Sequence, residues 1–156
     1  MGLQQEIDAL QRWVFQHAQL NSMKLSSAPP TVARPVILWE HGQRSRTKNL
    51  TRYSYVVRCQ QYGKLFVESF DQAATLQDLL LDSIEQKYGV LPVFEAVGSD
   101  AQIATIKNVT IDFRSSETMD IPIVVAYEAT YGRTRPVLPP PATKVTNKIT
   151  APLGGE

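Results

Sequence analysis

Nucleophilic catalysis needs a histidine, or a lysine in an apolar pocket, beside a Ser, Thr or Cys. The 156-residue chain carries two histidines, His17 and His41. One falls in a helical stretch and the other at a loop edge, and no G-x-S-x-G elbow accompanies them. Cys59 is the single cysteine, which rules out an intrachain disulfide and a cysteine-based zinc site; it reads as a small buried residue on a strand. The acids spread along helix faces and loops instead of converging as metal ligands would. Neither a P-loop nor a dinucleotide glycine fingerprint is present. Asp112 and Asp120 flank a hairpin and come nearest to a carboxylate pair, although charges at strand ends are ordinarily solvated. The sequence therefore predicts no enzyme, with no catalytic, cofactor-binding or metal-binding residue and no cofactor.

The other chemistry available is electrostatic. Arg44, Arg46 and Lys48 crowd the polar stretch 43–49, and Arg52 and Arg58 follow on the next strand. Clustered cations bind phosphates, and aromatic residues that stack on bases strengthen such a site. Residues 43–58 are thus a candidate nucleic-acid-binding module. Tyr53 and Tyr55 interleave with the cations, but their alternation assigns them to the apolar face and hence to the core. With a net charge of +1, a protein contact through these cations is favoured over DNA binding as the main role.

That near-neutral total conceals an asymmetry. Residues 34–64 hold seven cations against Glu40, residues 65–131 hold eleven acids against Lys87, Lys107 and Arg114, and residues 132–156 are again basic. Segments of opposite sign on different faces would let one copy's basic surface meet another's acidic one, a head-to-tail contact that closes into a ring when the rotation permits.

The elements that must position these charges centre on Asp71–Gly89. There Leu76, Leu79, Leu80 and Ile84 recur at helical steps and Tyr88 extends the stripe. Asp71 or Thr75 is the expected cap, and Gly89 the left-handed residue past the end. A second helix is expected over residues 3–20, with Leu3, Ile7, Leu10, Val14 and Ala18 on one stripe and Trp13 and Phe15 widening it. His17 lies beside that stripe. Residues 21–35 read as a proline-bearing linker. Val36–Glu40 is a short apolar strand, 41–49 a polar loop and Thr51–Gln60 a strand with clear alternation, broken at 61–64 around Gly63. Val90–Val97 is a short extended piece, with Pro92 arguing for a sheet edge. Ile103–Arg114 and Asp120–Tyr131 alternate strongly and should form a hairpin across the short turn Ser115–Met119.

The expected fold class is α+β: an antiparallel or mixed sheet of about four to five strands with two helices packed on it. Residues 1–135 make a single domain with its core at 36–131. Residues 136–156, with five prolines, make an extended C-terminal arm anchored by Val137, Leu138, Val145, Ile149 and Leu153. Hydrophobic residues at 43% and charged residues at 20% suit an ordinary globular protein. No apolar run reaches the ~20 residues needed to cross a bilayer, so no membrane partner is expected. The opening MGLQQEIDAL lacks the basic region and apolar block of a signal peptide, which points to a cytoplasmic origin.

In order along the chain, RPVILWE, TRYSYVVRCQQYGKLF, the helix LQDLLLDSIEQ, NVTIDFRS and DIPIVVAYEATYGR resemble the tail terminator proteins of long-tailed bacteriophages and phage-like tail particles. The resemblance covers Arg34–Arg135 and consists of a pattern of elements. It implies a virion structural protein of the tail and neck, assembled in the host bacterial cytoplasm. Such a protein forms a hexameric ring at the head-proximal end of the tail tube, stops polymerisation and joins the tail to the head connector. The implied partners are further copies of the chain, the tail tube protein, a neck or connector protein and, in a contractile tail, the sheath; DNA would be only cargo passing through the ring. By the same resemblance Arg44, Arg46, Lys48, Arg52 and Arg58, with the hairpin tip Ser115, Ser116 and Glu117, are candidate contacts to tube, connector or neighbouring subunit. Val137, Leu138, Val145 and Ile149 of the arm would contact a neighbouring subunit or sheath. Another neck component, of the tail-completion or head-completion kind, is the alternative within the structural class.

Overall fold

A computed structural model of the chain describes residues 2–133 and 137–140. Two helices, α1 (Leu3–Ala18) and α2 (Phe70–Gln86), lie with seven strands: β1 (Asn21–Lys24), β2 (Val36–Trp39), β3 (Gln43–Thr51), β4 (Ser54–Phe66), β5 (Leu91–Phe94), β6 (Gln102–Phe113) and β7 (Asp120–Gly132). The strands form one mixed sheet in the order β1-β2-β4-β7-β6-β5, with β3 attached to β4 beside that path. The fold is α+β, and no described helix is long and apolar enough to cross a membrane.

The sheet is built around β4 and β7, whose thirteen residues pair from Ser54↔Gly132 to Phe66↔Asp120. At ~3.3 Å per residue this ladder runs about 40 Å. Two strands share the other edge of β4. β2 takes Gly63–Phe66, and β3 takes the stretch between Ser54 and Gln60. The predicted break at 61–64 is therefore absent, and β4 runs straight through Gly63. A Cβ at that glycine would stand 2.9 Å from Cε3 of Trp39, so the residue is needed for the indole to lie against the strand.

The sheet has seven strands where about four to five were expected, because β1 and β3 carry no apolar alternation. β1 lies inside the predicted linker and is a short polar strand, held parallel to β2. β3 occupies the predicted loop; all nine of its residues are exposed, and backbone pairing to β4 holds it along its length. A long exposed strand of this kind follows no burial pattern that a sequence can display. The β6–β7 hairpin forms as expected, and β5 with Pro92 is the sheet edge. A register shift between Lys107 and Thr110, with Asn108 at φ 51°, bulges β6 and reverses its phase. Ile106, Val109 and Ile111 are all buried as a result.

Both helices cover one face of the sheet. α2 buries Ala73, Leu76, Leu80, Ser83 and Ile84; Leu79 and Tyr88, expected on this stripe, are exposed, Tyr88 at 92%. Leu79 follows Leu76 by three positions but lies on the flank of the buried stripe, 44% exposed. Tyr88 falls after the helix has ended and has a positive φ of 53°, which turns it out of the stripe. The cap is Ser69, not Asp71 or Thr75: its Oγ accepts from the Gln72 backbone N–H at 3.1 Å. Gly89 has the left-handed φ of 68° that was expected. α1 stops at Ala18 and buries Ile7, Ala9, Leu10, Trp13 and Val14, while Phe15 points outward. The helices are joined by a buried bond in which Trp13 Nε1–H donates to Ser83 Oγ at 2.8 Å.

Candidate functional site

The cations of β3 do not form one patch. Arg44 and Arg46 pair with Cys59 and Val57 of β4, so they share the helix-covered face of the sheet. The register then shifts between Arg46 and Lys48, and Lys48 pairs with Val56. That bulge sends Lys48 to the opposite, open face. Arg58 is also there, donating to Glu128 at 3.3 Å, and Asn108 donates to the same carboxylate at 2.9 Å. The Asn108 bond above all, with Arg58, holds the Glu128 carboxyl below the usual range. Arg52 sits in the β3–β4 turn over the ring of Tyr53. The sequence cluster is thus divided between two faces and a turn.

Arg44 is anchored by a residue that the pattern did not single out. Glu6, on α1, is fully buried and accepts from Arg44 Nη2 at 3.0 Å and from Tyr127 Oη at 2.8 Å, with Cys59 Sγ 3.7 Å away. A buried carboxylate is tolerable only when paired and hydrogen-bonded. Here β3, β4 and β7 each supply one group to the α1 carboxylate. Burial, reinforced by the Glu6 charge, pushes the Cys59 thiol up to about 11 and raises the Tyr127 hydroxyl well above its ordinary value. The thiol is therefore protonated and buried, as a structural cysteine should be. The one sequence signal was an acid on the apolar side of α1, one residue before Ile7.

Beyond this anchor the helix layer stops but the sheet continues. The uncovered end forms a shelf in which Tyr55 and Tyr131 stack with ring centroids 5.9 Å apart. The guanidinium of Arg44 lies 5.1 Å over the Tyr131 ring, while those of Arg46 and Arg133 lie 5.7 and 5.4 Å over Tyr55. Tyr55 is thus half-buried at the margin of the core it was assigned to. Tyr53 belongs to the turn.

The second predicted contact, Ser115, Ser116 and Glu117, lies in the β6–β7 turn, where Ser116 Oγ donates to the Asp120 carbonyl at 2.9 Å. This turn adjoins the Asp120↔Phe66 end of the β4–β7 ladder, whereas the β3–β4 turn adjoins the Ser54↔Gly132 end. The β3–β4 turn with Arg52 is therefore about 40 Å from the β6–β7 turn, at the opposite end of the ladder, whereas Arg44 and Arg58 lie at rungs between the two ends. Asp120 is held by Arg34 at 3.0 Å and Asp112 is exposed, so they do not act as a pair. His17 is half-buried, and its pKa is lowered by that burial and by Lys87. Among the described residues no three His, Cys, Asp or Glu side chains converge as a metal site would require. Of the arm, Val137 and Leu138 are exposed; Val145, Ile149 and Leu153 lie outside the described residues. No family model and no curated protein matches the chain.

Proposed function

We propose that the protein is a structural virion subunit, a tail terminator that assembles as a ring on the head-proximal end of a phage tail tube and joins it to the head connector. The observation that supports this most directly is the separation of two polar turns, the β3–β4 turn with Arg52 and the β6–β7 turn with Ser115, Ser116 and Glu117, to opposite ends of one ladder. A subunit that must touch the tube on one side and the connector on the other needs two such ends, held at a fixed distance. The shelf of tyrosines and arginines supports assembly, because Tyr and Arg at a surface are the residue types on which protein contacts concentrate. The partners are further copies of the chain, in a hexamer, together with the tube and connector proteins. The arm 136–156 reaches a neighbouring copy or a sheath, and deleting it weakens assembly.

Native mass spectrometry of the protein with and without isolated tail tubes tests the reading, together with the length distribution of tubes grown in its presence. A six-fold species and capped tubes of arrested length are expected. A twelve-fold species would move the protein to another neck component. A monomer that ignores tubes and binds DNA with a steep salt dependence would assign residues 43–58 to nucleic acid instead.

A further inference from the structure

The shelf at Tyr55 and Tyr131 has a counterpart on the same molecule. α2 presents two parallel rows to solvent beside its buried stripe. Phe70, Ala74 and Leu81, at steps of four and seven, form an exposed apolar row, with Phe70 52% and Leu81 43% accessible. Asp71, Asp78, Asp82 and Glu85 form an acidic row next to it. Among the described residues none of these four acids makes an ion pair, and neither do Arg46 and Arg133 on the shelf. Both surfaces are left with uncompensated charge, of opposite sign, and both carry apolar area that the chain's own helices do not cover.

We infer that α2 of one copy docks on the Tyr55–Tyr131 shelf of the next. The dimensions agree: a helix of seventeen residues spans about 25 Å, and the nine residues of β3 about 30 Å. Seated there, the helix would extend the helical layer over the bare end of the sheet. Phe70 and Leu81 would lie on the tyrosine rings, with the acidic row against Arg46 and Arg133. The contact joins two different surfaces, so it is head-to-tail and leaves a helix free on one copy of a pair and a shelf on the other for further neighbours. It rests on the proposed function only in requiring that copies of the chain assemble.

The charges make the test specific. A shelf variant, Arg46→Glu with Arg133→Glu, has two acidic surfaces. A helix variant, Asp78→Lys with Asp82→Lys and Glu85→Lys, sets three lysines against Asp71 on the row and so has two basic ones. All five residues lie outside the buried core, and circular dichroism checks that each variant is folded. Size-exclusion chromatography with light scattering and native mass spectrometry at low salt then report assembly. Wild type is expected to assemble and to weaken as salt is added; each variant alone is expected to lose at least tenfold in association. An equimolar mixture of the two variants is expected to recover assembly, with the copies alternating, since every contact in the mixture is again between opposite charges. Assembly of either variant at wild-type strength, or a mixture that stays apart, overturns the contact. So does a wild type that remains monomeric at the highest concentration and lowest salt it tolerates, including one whose shelf binds single-stranded DNA instead. Wild type that assembles through this contact but leaves tube growth unchanged keeps the inference and removes the terminator reading.

Discussion

Glu6 and Arg44 are 38 residues apart in the chain and meet at 3.0 Å, the carboxylate fully buried and the guanidinium side chain 30% exposed. This pair fastens the one wholly exposed strand, β3, to the body of the molecule. Removing Arg44 strands the carboxylate without its counter-charge. Arg44→Met should cost roughly 2–4 kcal/mol, below the ~3–5 of a fully buried pair because the arginine keeps some of its solvation. Adding Glu6→Leu should return much of that loss. Urea unfolding of the two variants checks both statements, and a double variant no more stable than Arg44→Met alone would refute the pairing as the source.

The bond from Trp13 to Ser83 stitches the two helices together at a buried site. Ser83→Ala leaves the indole N–H dry and without an acceptor, at an expected cost of about 1–2 kcal/mol. Trp13→Phe with Ser83→Ala removes both polar groups and should fall short of the sum of the two single losses. Thermal unfolding of the three variants reads the coupling.

Alkali should loosen the Glu6 cluster before the rest of the protein. The folded state holds the Cys59 and Tyr127 protons more tightly than the unfolded chain does. The thiol's contribution is intact below its ordinary value near 9 and is lost as pH rises toward about 11, and the hydroxyl's begins to be lost only above its own ordinary value near 10. Denaturation midpoints should be flat from neutral pH to about 9 and then decline. The decline should be shallower in Cys59→Ala, and a profile identical to wild type would separate the thiol from the effect.

Gly63 is a packing requirement. Gly63→Ala drives a methyl against Trp39 Cε3 at 2.9 Å and the Leu38 carbonyl at 3.0 Å. The expected loss is about 1–3 kcal/mol. It should appear as a lower melting temperature with a changed tryptophan fluorescence. An unaltered emission spectrum would mean that the indole had not been displaced.

The elements legible in the sequence were those that bury one side. α1, α2, β4, β6 and β7 repeat apolar residues at the period of their geometry, while β2, buried on both faces, shows as an unbroken apolar run; each appears close to its expected place. β1 and β3 were not legible because backbone pairing sets their course without a buried apolar side, and polar side chains do not record it. Glu6 escaped for the converse reason: a carboxylate next to an apolar stripe reads as solvent-facing until Arg44 and Tyr127, from distant strands, arrive to bond it. The cationic cluster was legible in composition but not in arrangement, since a one-residue bulge between Arg46 and Lys48 decides which face each cation takes. The acidic row of α2 was visible residue by residue. Its apolar neighbours Phe70 and Leu81 gained meaning only when the buried stripe was seen to lie elsewhere.

The β4–β7 ladder also determines how the molecule would answer to force. Its two ends are the turns that carry the candidate contacts, so a pull between them acts along the strands and shears the rungs. Bonds loaded in shear must give way together, whereas a hairpin peeled from one end opens rung by rung. A subunit gripped at both turns would thus behave as a stiff tie, yielding abruptly at high load, while the same sheet pulled apart sideways at β3 would unzip at low load.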